Sequence, residues 1–305
     1  MGSTTHTVII ICGPTGIGKT SLAIKLARKL ECDIISADSR QIYKEMSIGT
    51  AVPSEEELRQ VKHHFVQTHS IHNYYNASMF ENEVFKFLQD YFQKKNRILM
   101  VGGSGLYIDA VCRGIDDLPS INPAVRSKWR ELYEKKGLVY LQNKVEGYDP
   151  DYYRTADLRN HKRLLKALEV YDQTGIPYSS YLKNSPKKRD FRIIKIGLNT
   201  NRKILYEQIN NRVDVMMKAG FIDEARDLYP CRKLTPLNTV GYKELFLYFD
   251  GSLSMEDAID QIRNHSRAYA RRQITWFRRD PEIKWFEPSA MAEISKWIDN
   301  QMKKI

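Results

Sequence analysis

The chain has 305 residues, 42% hydrophobic and 28% charged, and at roughly 150 residues per domain its length suggests about two domains. That balance excludes a disordered, a collagen-like or a disulfide-dense chain. The net charge of +11 is uneven: residues 1–115 hold 13 Lys and Arg against 11 Asp and Glu, residues 116–305 hold 35 against 26, so the C-terminal part is the better face for a polyanion.

At the N-terminus, Met1 to His6 carries no basic n-region, so the segment reads as neither a signal nor a transit peptide. His6 stands where a myristoylation signal needs Ser or Thr. Thr7–Cys12 is a β-branched apolar run, the pattern of a buried strand. Gly13-Pro14-Thr15-Gly16-Ile17-Gly18-Lys19-Thr20 follows it and matches G-x-x-x-x-G-K-[ST] in full. The glycines let backbone N–H groups turn inward around phosphate oxygens, the next helix adds a partial positive charge, Lys19 adds a full one, and the Thr20 hydroxyl can ligate Mg²⁺. The motif specifies a phosphate or diphosphate and does not specify ATP.

Thr20–Leu30 has one apolar helical face, through Leu22, Ala23, Leu26, Ala27 and Leu30. Asp33–Ala37 reads as a second strand and leads to Asp38, a carboxylate beside the phosphate loop. Spacing alone leaves Asp38 as a base, a metal ligand or a cap for the next turn. Glu55–Lys62 and Ala77–Lys94 read as helices. His63 and His64 look like a metal pair, but adjacent residues point in different directions in either regular element. Arg97–Val101 is a third strand, ending in Gly102-Gly103-Ser104-Gly105 with no acid of the kind an NTP-hydrolysing machine carries there. Leu106–Arg113 is helical.

From Ile115 the texture changes to a two-proline linker and then to helices at Pro123–Lys136 and Asn160–Gln173, followed by a basic loop at Ser185–Asp190. Phe191–Leu198 returns to strand texture. Helical stretches follow at Arg202–Ala219, Phe221–Leu228, Gly241–Phe249, Met255–Arg279 and Ala290–Lys303. Strands alternating with helices argue for a parallel α/β sheet. The expectation is a P-loop NTPase-like core, residues 1–114 and 191–305, with a mainly helical insertion domain at 115–190. In the last long helix Arg263, Arg267 and Arg271 recur every four residues without matching i+4 acids, which favours phosphate contact. Trp129, Trp276 and Trp285 read as core or interdomain packing. Cys12, Cys32, Cys112 and Cys231 lie far apart and read as reduced thiols of a cytoplasmic protein with no zinc cluster. No stretch approaches the ~18 apolar residues of a membrane span, and no heptad demands a dimer, so the chain is expected to be a monomer.

Seven blocks then carry a resemblance: Gly13–Thr20, Ile35–Tyr43, Ile48–Ala51, Val101–Tyr107, Arg163–Val170, Val240–Glu244 and Tyr269–Arg278. In this order they resemble the tRNA dimethylallyltransferases, also called tRNA isopentenyltransferases. The resemblance implies transfer of a dimethylallyl group from dimethylallyl diphosphate to N6 of adenine 37 of tRNA, with Mg²⁺ and release of diphosphate. It implies that Gly13–Thr20 hold the donor, that Lys19 and Arg212 meet its diphosphate, and that Asp38 takes a proton from N6 while Ser104 holds the acceptor. By sequence alone Arg212 could equally be a solvated helix charge, and Ser104 a helix cap. Adenine 37 must be extruded to reach the site, close to Ser39, Arg40 and Gln41. Arg126, Lys162, Arg163, Leu164, Leu165 and Lys166 of the insertion are expected to clamp the anticodon stem-loop. The chain departs from the usual pattern at Gly16-Ile17, usually Ala-Ser, at Ser104, usually Thr, and at Lys166, usually Arg. The rival readings are an isopentenyltransferase of free adenine nucleotides, a P-loop kinase or GTPase-like switch, and a non-catalytic RNA-binding module.

Overall fold

The computed structural model describes residues 6–183 and 185–303. The leader and lipidation readings of residues 1–5 lie outside the described residues. Thr7–Cys12 (β1) is buried at every position, as its unbroken apolar run requires of a strand covered on both faces. It joins Ile34–Ser36 (β2), His63–His64 (β3), Arg97–Gly102 (β4), Arg192–Leu198 (β5) and Lys284–Phe286 (β6) in one sheet of order β3-β2-β4-β1-β5-β6. Each pairing is parallel. The expected strands all form. The sequence reading missed β3 and β6, because His63–His64 and Lys284–Phe286 lack the β-branched apolar run that marks β2.

The helices are α1 (Lys19–Leu30), α2 (Glu55–Gln60), α3 (Ala77–Tyr91), α4 (Gly105–Arg113), α5 (Pro123–Tyr148), α6 (Pro150–Thr155), α7 (His161–Thr174), α8 (Arg202–Lys218), α9 (Phe221–Leu228), α10 (Tyr242–Phe249), α11 (Met255–Phe277) and α12 (Met291–Met302). The buried face of α1 contains the expected Leu22, Ala23, Leu26, Ala27 and Leu30. The chain divides into two compact units: the sheet unit takes the chain up to Cys112 and from Lys188 onward, and the second unit is Arg113–Lys187. The fold is thus an α/β P-loop-type sheet interrupted by a helical unit.

Within the helical unit, the helix expected at Pro123–Lys136 does break where Gly137 takes a φ of 74°, but the chain resumes as helix to Tyr148. The unit has its own core, made by Trp129, Leu141, Val145, Tyr152, Leu164, Ala167 and Leu168. Trp129 therefore packs as expected. Trp285 is half-buried on β6, and Trp276 packs against Gly105 at the start of α4, where a Cβ would lie 2.3 Å from its ring. It is 36% exposed on α11, and its indole N–H donates to Asp109 Oδ2 (2.9 Å).

Register positions the site. Cys12 lies beside Gly102 and Ser36 beside Val101. The phosphate loop, the Gly102–Ser104 turn and Asp38 therefore leave the sheet together at its carboxyl edge, where open α/β sheets bind ligands.

Candidate active site

The phosphate loop joins β1 to α1 as its motif predicts. Gly16 takes a φ of +80°, a conformation glycine adopts without strain, and it lies against Ile209, whose Cγ1 would be 2.9 Å from a Cβ there. Lys19 Nζ donates to the carbonyls of Gly13 (3.0 Å) and Pro14 (2.7 Å), which fixes the ammonium inside the loop. Burial, and then the charge of Arg212, bring Lys19 down to about 8, against the pull of Asp38.

Asp38 follows β2. Its Oδ1 accepts from the N–H groups of Arg40 (2.9 Å) and Gln41 (3.3 Å). The turn-capping reading is therefore realised through one oxygen, which also holds the carboxylate in place for other work. Ser104 Oγ accepts from Ser39 N–H (2.9 Å) and donates to Ser39 Oγ (3.2 Å). It ties the β4 turn to the Asp38 turn. Tyr269 lines both cavities beside this turn, and its phenol is pushed up to about 12 by burial first and then by Asp38.

Arg212 reaches in from α8, with Nη2 donating to the Thr50 carbonyl (3.3 Å). Burial lowers its proton affinity and Asp38 restores part of it. The guanidinium therefore belongs to the site and is no solvated helix charge. Two adjoining cavities share Thr15, Asp38, Arg212 and Tyr269 as walls. One, about 390 Å³, is bounded by Gly16, Gly18, Lys19 and Thr20, and so is the phosphate end. The other, about 250 Å³, has Ile209, Val213, Met216 and Ile262 on one side and Ser39 and Arg40 on the other. Its mixed wall suits a short apolar chain next to a polar ring edge.

A model of the IPP transferase family matches residues 41–280. A tRNA dimethylallyltransferase of Christiangramia forsetii is 51% identical over 280 residues, covering 92% of this chain and 93% of that protein. The chain belongs to the IPP transferase family. The crystal structure of a tRNA isopentenylpyrophosphate transferase from Bacillus halodurans is 31% identical with a TM-score of 0.71, covering 98% of this chain and 97% of that one. A eukaryotic dimethylallyltransferase acting on tRNA has the same fold, with a TM-score of 0.79 at 23% identity over 97% of this chain and 77% of that one.

In this IPP transferase family member, the other candidate residues fall in both units. Gln41 lines the phosphate-end cavity and braces it: Nε2 donates to the Ala51 carbonyl (2.9 Å) and Oε1 accepts from Ser36 Oγ (3.1 Å). Leu164 is 0% exposed in the core of the helical unit; it packs and has no surface for RNA. Leu165 is half-buried against that core. Lys162 and Arg163 are exposed on α7, and Arg126 pairs with Glu169 (3.8 Å). Lys166 is half-buried on the same helix.

The arginines of α11 lack matching i+4 acids but have partners elsewhere. Arg263 binds Asp214 (2.6 Å), Arg267 binds Asn210 (2.6 Å) and Arg271 binds the Tyr206 hydroxyl (2.7 Å). The partners also recur every four residues, on α8, so the stripe is an interhelical ladder. The absence of i+4 acids holds, but the arginines are paired all the same, Arg263 with Asp260 of its own helix as well (2.8 Å). His63 Nδ1 lies 2.8 Å from the Val61 carbonyl and His64 Nε2 2.9 Å from Asp33 Oδ2. Each ring thus has its own partner. Among the described residues no three His, Cys, Asp or Glu side chains gather as a metal cluster.

Sequence reasoning passed over Tyr269 and Gln273 as site residues. They stand four apart on α11, on the face toward the cavities. It also passed over Glu224, whose carboxylate accepts from the N–H groups of Ser47 (3.0 Å), Ile48 (2.7 Å) and Gly49 (2.9 Å) and from the Tyr242 hydroxyl (2.6 Å). That clamp fixes the segment that hands Thr50 to Arg212. The signal was present for Tyr269 and Gln273, which lie in one of the quoted blocks, and absent for Glu224.

Proposed function

We propose that this protein transfers a dimethylallyl group from dimethylallyl diphosphate to N6 of adenine 37 in tRNA. The observation that carries the reading is the wall shared by the two cavities. A cationic phosphate cradle opens at Asp38 and Arg212 onto a chamber with an apolar side and a polar side. That arrangement suits a diphosphate leaving group attached to a short hydrocarbon, facing a nucleobase. Family membership supports it.

In this reaction the allylic C–O bond breaks and its electron pair leaves with the diphosphate. Lys19, Arg212 and the start of α1 stabilise that growing charge. The N6 nitrogen forms the new C–N bond and gives up a proton to the Asp38 carboxylate. Ser104, held by Ser39, hydrogen-bonds near N6 and keeps the acceptor close to the allylic carbon. The Thr20 hydroxyl on the cradle wall is a hard oxygen donor, the kind Mg²⁺ prefers, and would hold it beside the diphosphate. Bound Mg²⁺ would neutralise diphosphate charge. The stacked adenine must be extruded to enter. The exposed Lys162, Arg163 and Arg271 and the basic residues Arg126 and Lys166 are the proposed contacts to the tRNA backbone, while Arg263 and Arg267 serve mainly the ladder between α8 and α11. The protein is read as a cytoplasmic monomer.

Thermal stabilisation separates this reading from nucleotide chemistry. Dimethylallyl diphosphate with Mg²⁺ should raise the unfolding temperature, because a ligand that binds only the folded state stabilises it. ATP raising it instead, with no response to the prenyl donor, would overturn the reading.

A further inference from the structure

We infer that Gln273 is a positioning residue that sets the diphosphate cradle and the acceptor-holding turn in register, an inference that rests on the proposed reaction. Gln273 is 5% exposed on α11, anchored between the buried Ala270 and Phe277. Its Oε1 accepts from Thr15 N–H (2.8 Å), and its Nε2 donates to the Gly103 carbonyl (2.9 Å).

Each of those groups is one end of a peptide plane whose other end serves the site. The plane that carries Thr15 N–H also carries the Pro14 carbonyl, which accepts from Lys19 Nζ (2.7 Å). The plane that carries the Gly103 carbonyl also carries Ser104 N–H, which donates to the Ala37 carbonyl (3.3 Å). A peptide unit is rigid, so holding one end orients the other. One side chain therefore fixes the plane that seats Lys19 and the plane that carries Ser104. Only a side-chain amide both donates and accepts at this length: Glu would lose the Gly103 bond, Met would lose both, and Asn is one methylene too short to span them. Gly103 is shaped to this contact as well. A Cβ there would lie 2.2 Å from Gln273 Nε2.

The consequence is for rate more than for binding. Phosphate oxygens and adenine can each still find their own half of the site, but the two halves slip. Misplacement of reacting groups by about 1 Å costs about a hundredfold. Gln273→Met should therefore lower the single-turnover prenylation rate about a hundredfold, with the dissociation constant for dimethylallyl diphosphate and the KM for tRNA within about threefold of wild type. Gln273→Asn, which keeps the amide and shortens it, should show the same split and serves where the Met variant does not fold. A rate within threefold of wild type in a folded variant overturns the inference. So does a rate loss that saturating donor fully restores, since that is a binding defect. An active wild type with an equally fast Met variant refutes this role alone. A wild type that transfers no prenyl group refutes the reaction and this role with it.

Discussion

Lys19 and Arg212 are cations within electrostatic reach of each other, one from the phosphate loop and one from α8. Together with burial, Arg212 holds Lys19 down to about 8. Below that pH the ammonium is charged and ready for an anion. Above it, the free protein carries a neutral amine that must take up a proton to bind diphosphate. The kcat/KM for dimethylallyl diphosphate should therefore fall by up to tenfold per unit as pH rises above about 8. A profile that stays flat to pH 9.5 would show that Lys19 keeps its proton by other means.

Asp38 is fixed by two backbone N–H groups and borders both cavities. Asp38→Ala should slow single-turnover prenylation of bound tRNA by ~10²–10⁴-fold, the range of a positioned acid–base group. Asp38→Asn keeps the acceptor oxygen of the turn and should be nearly as slow, since it cannot take the proton. Equal rates for Asn and wild type would reduce Asp38 to a turn cap.

Glu224 gathers four donors, three of them from the segment Ser47–Gly49. Glu224→Ala leaves those groups without an acceptor. Losing hydrogen bonds to a charged group costs about 1.5–3 kcal/mol each where water cannot replace them. We expect the variant to be destabilised by about 3 kcal/mol in urea unfolding, and to bind the donor more weakly because Thr50 no longer anchors Arg212. Unchanged stability would mean water satisfies the segment.

The ladder between α8 and α11 alters what the arginine stripe can do. Arg271 is exposed, while Arg263 and Arg267 are half-buried among their partners. Arg271→Ala should therefore weaken tRNA binding several-fold and reduce the salt slope by about 1. Arg263→Ala should mainly cost stability through Asp214. The reverse pattern in a filter-binding titration would move the RNA contact toward the other end of α11.

Much of the sheet was legible because β1, β4 and β5 are long apolar runs, and the phosphate loop because its motif needs only local chain. β3 and β6 were not, since His63–His64 and Lys284–Phe286 are strands only by virtue of their neighbours. At the site, Lys19, Asp38 and Ser104 could be read because a motif or a strand end marks each. Gln273 lies in a block that resembles the family, but its role, like that of Glu224, depends on partners distant in sequence: Thr15 and Gly103 for one, Ser47 to Gly49 for the other. The α11 arginines show the converse error. Their partners Asp214, Asn210 and Tyr206 lie on another helix, where a search for i+4 acids finds nothing.

The most direct measurement is a nucleoside mass analysis of unmodified tRNA incubated with the protein, dimethylallyl diphosphate and Mg²⁺. The account predicts one adenosine, at position 37, heavier by a single dimethylallyl group, with free diphosphate released in equal amount. Unchanged nucleosides from tRNA that the protein binds, or diphosphate released without a prenylated base, would contradict it.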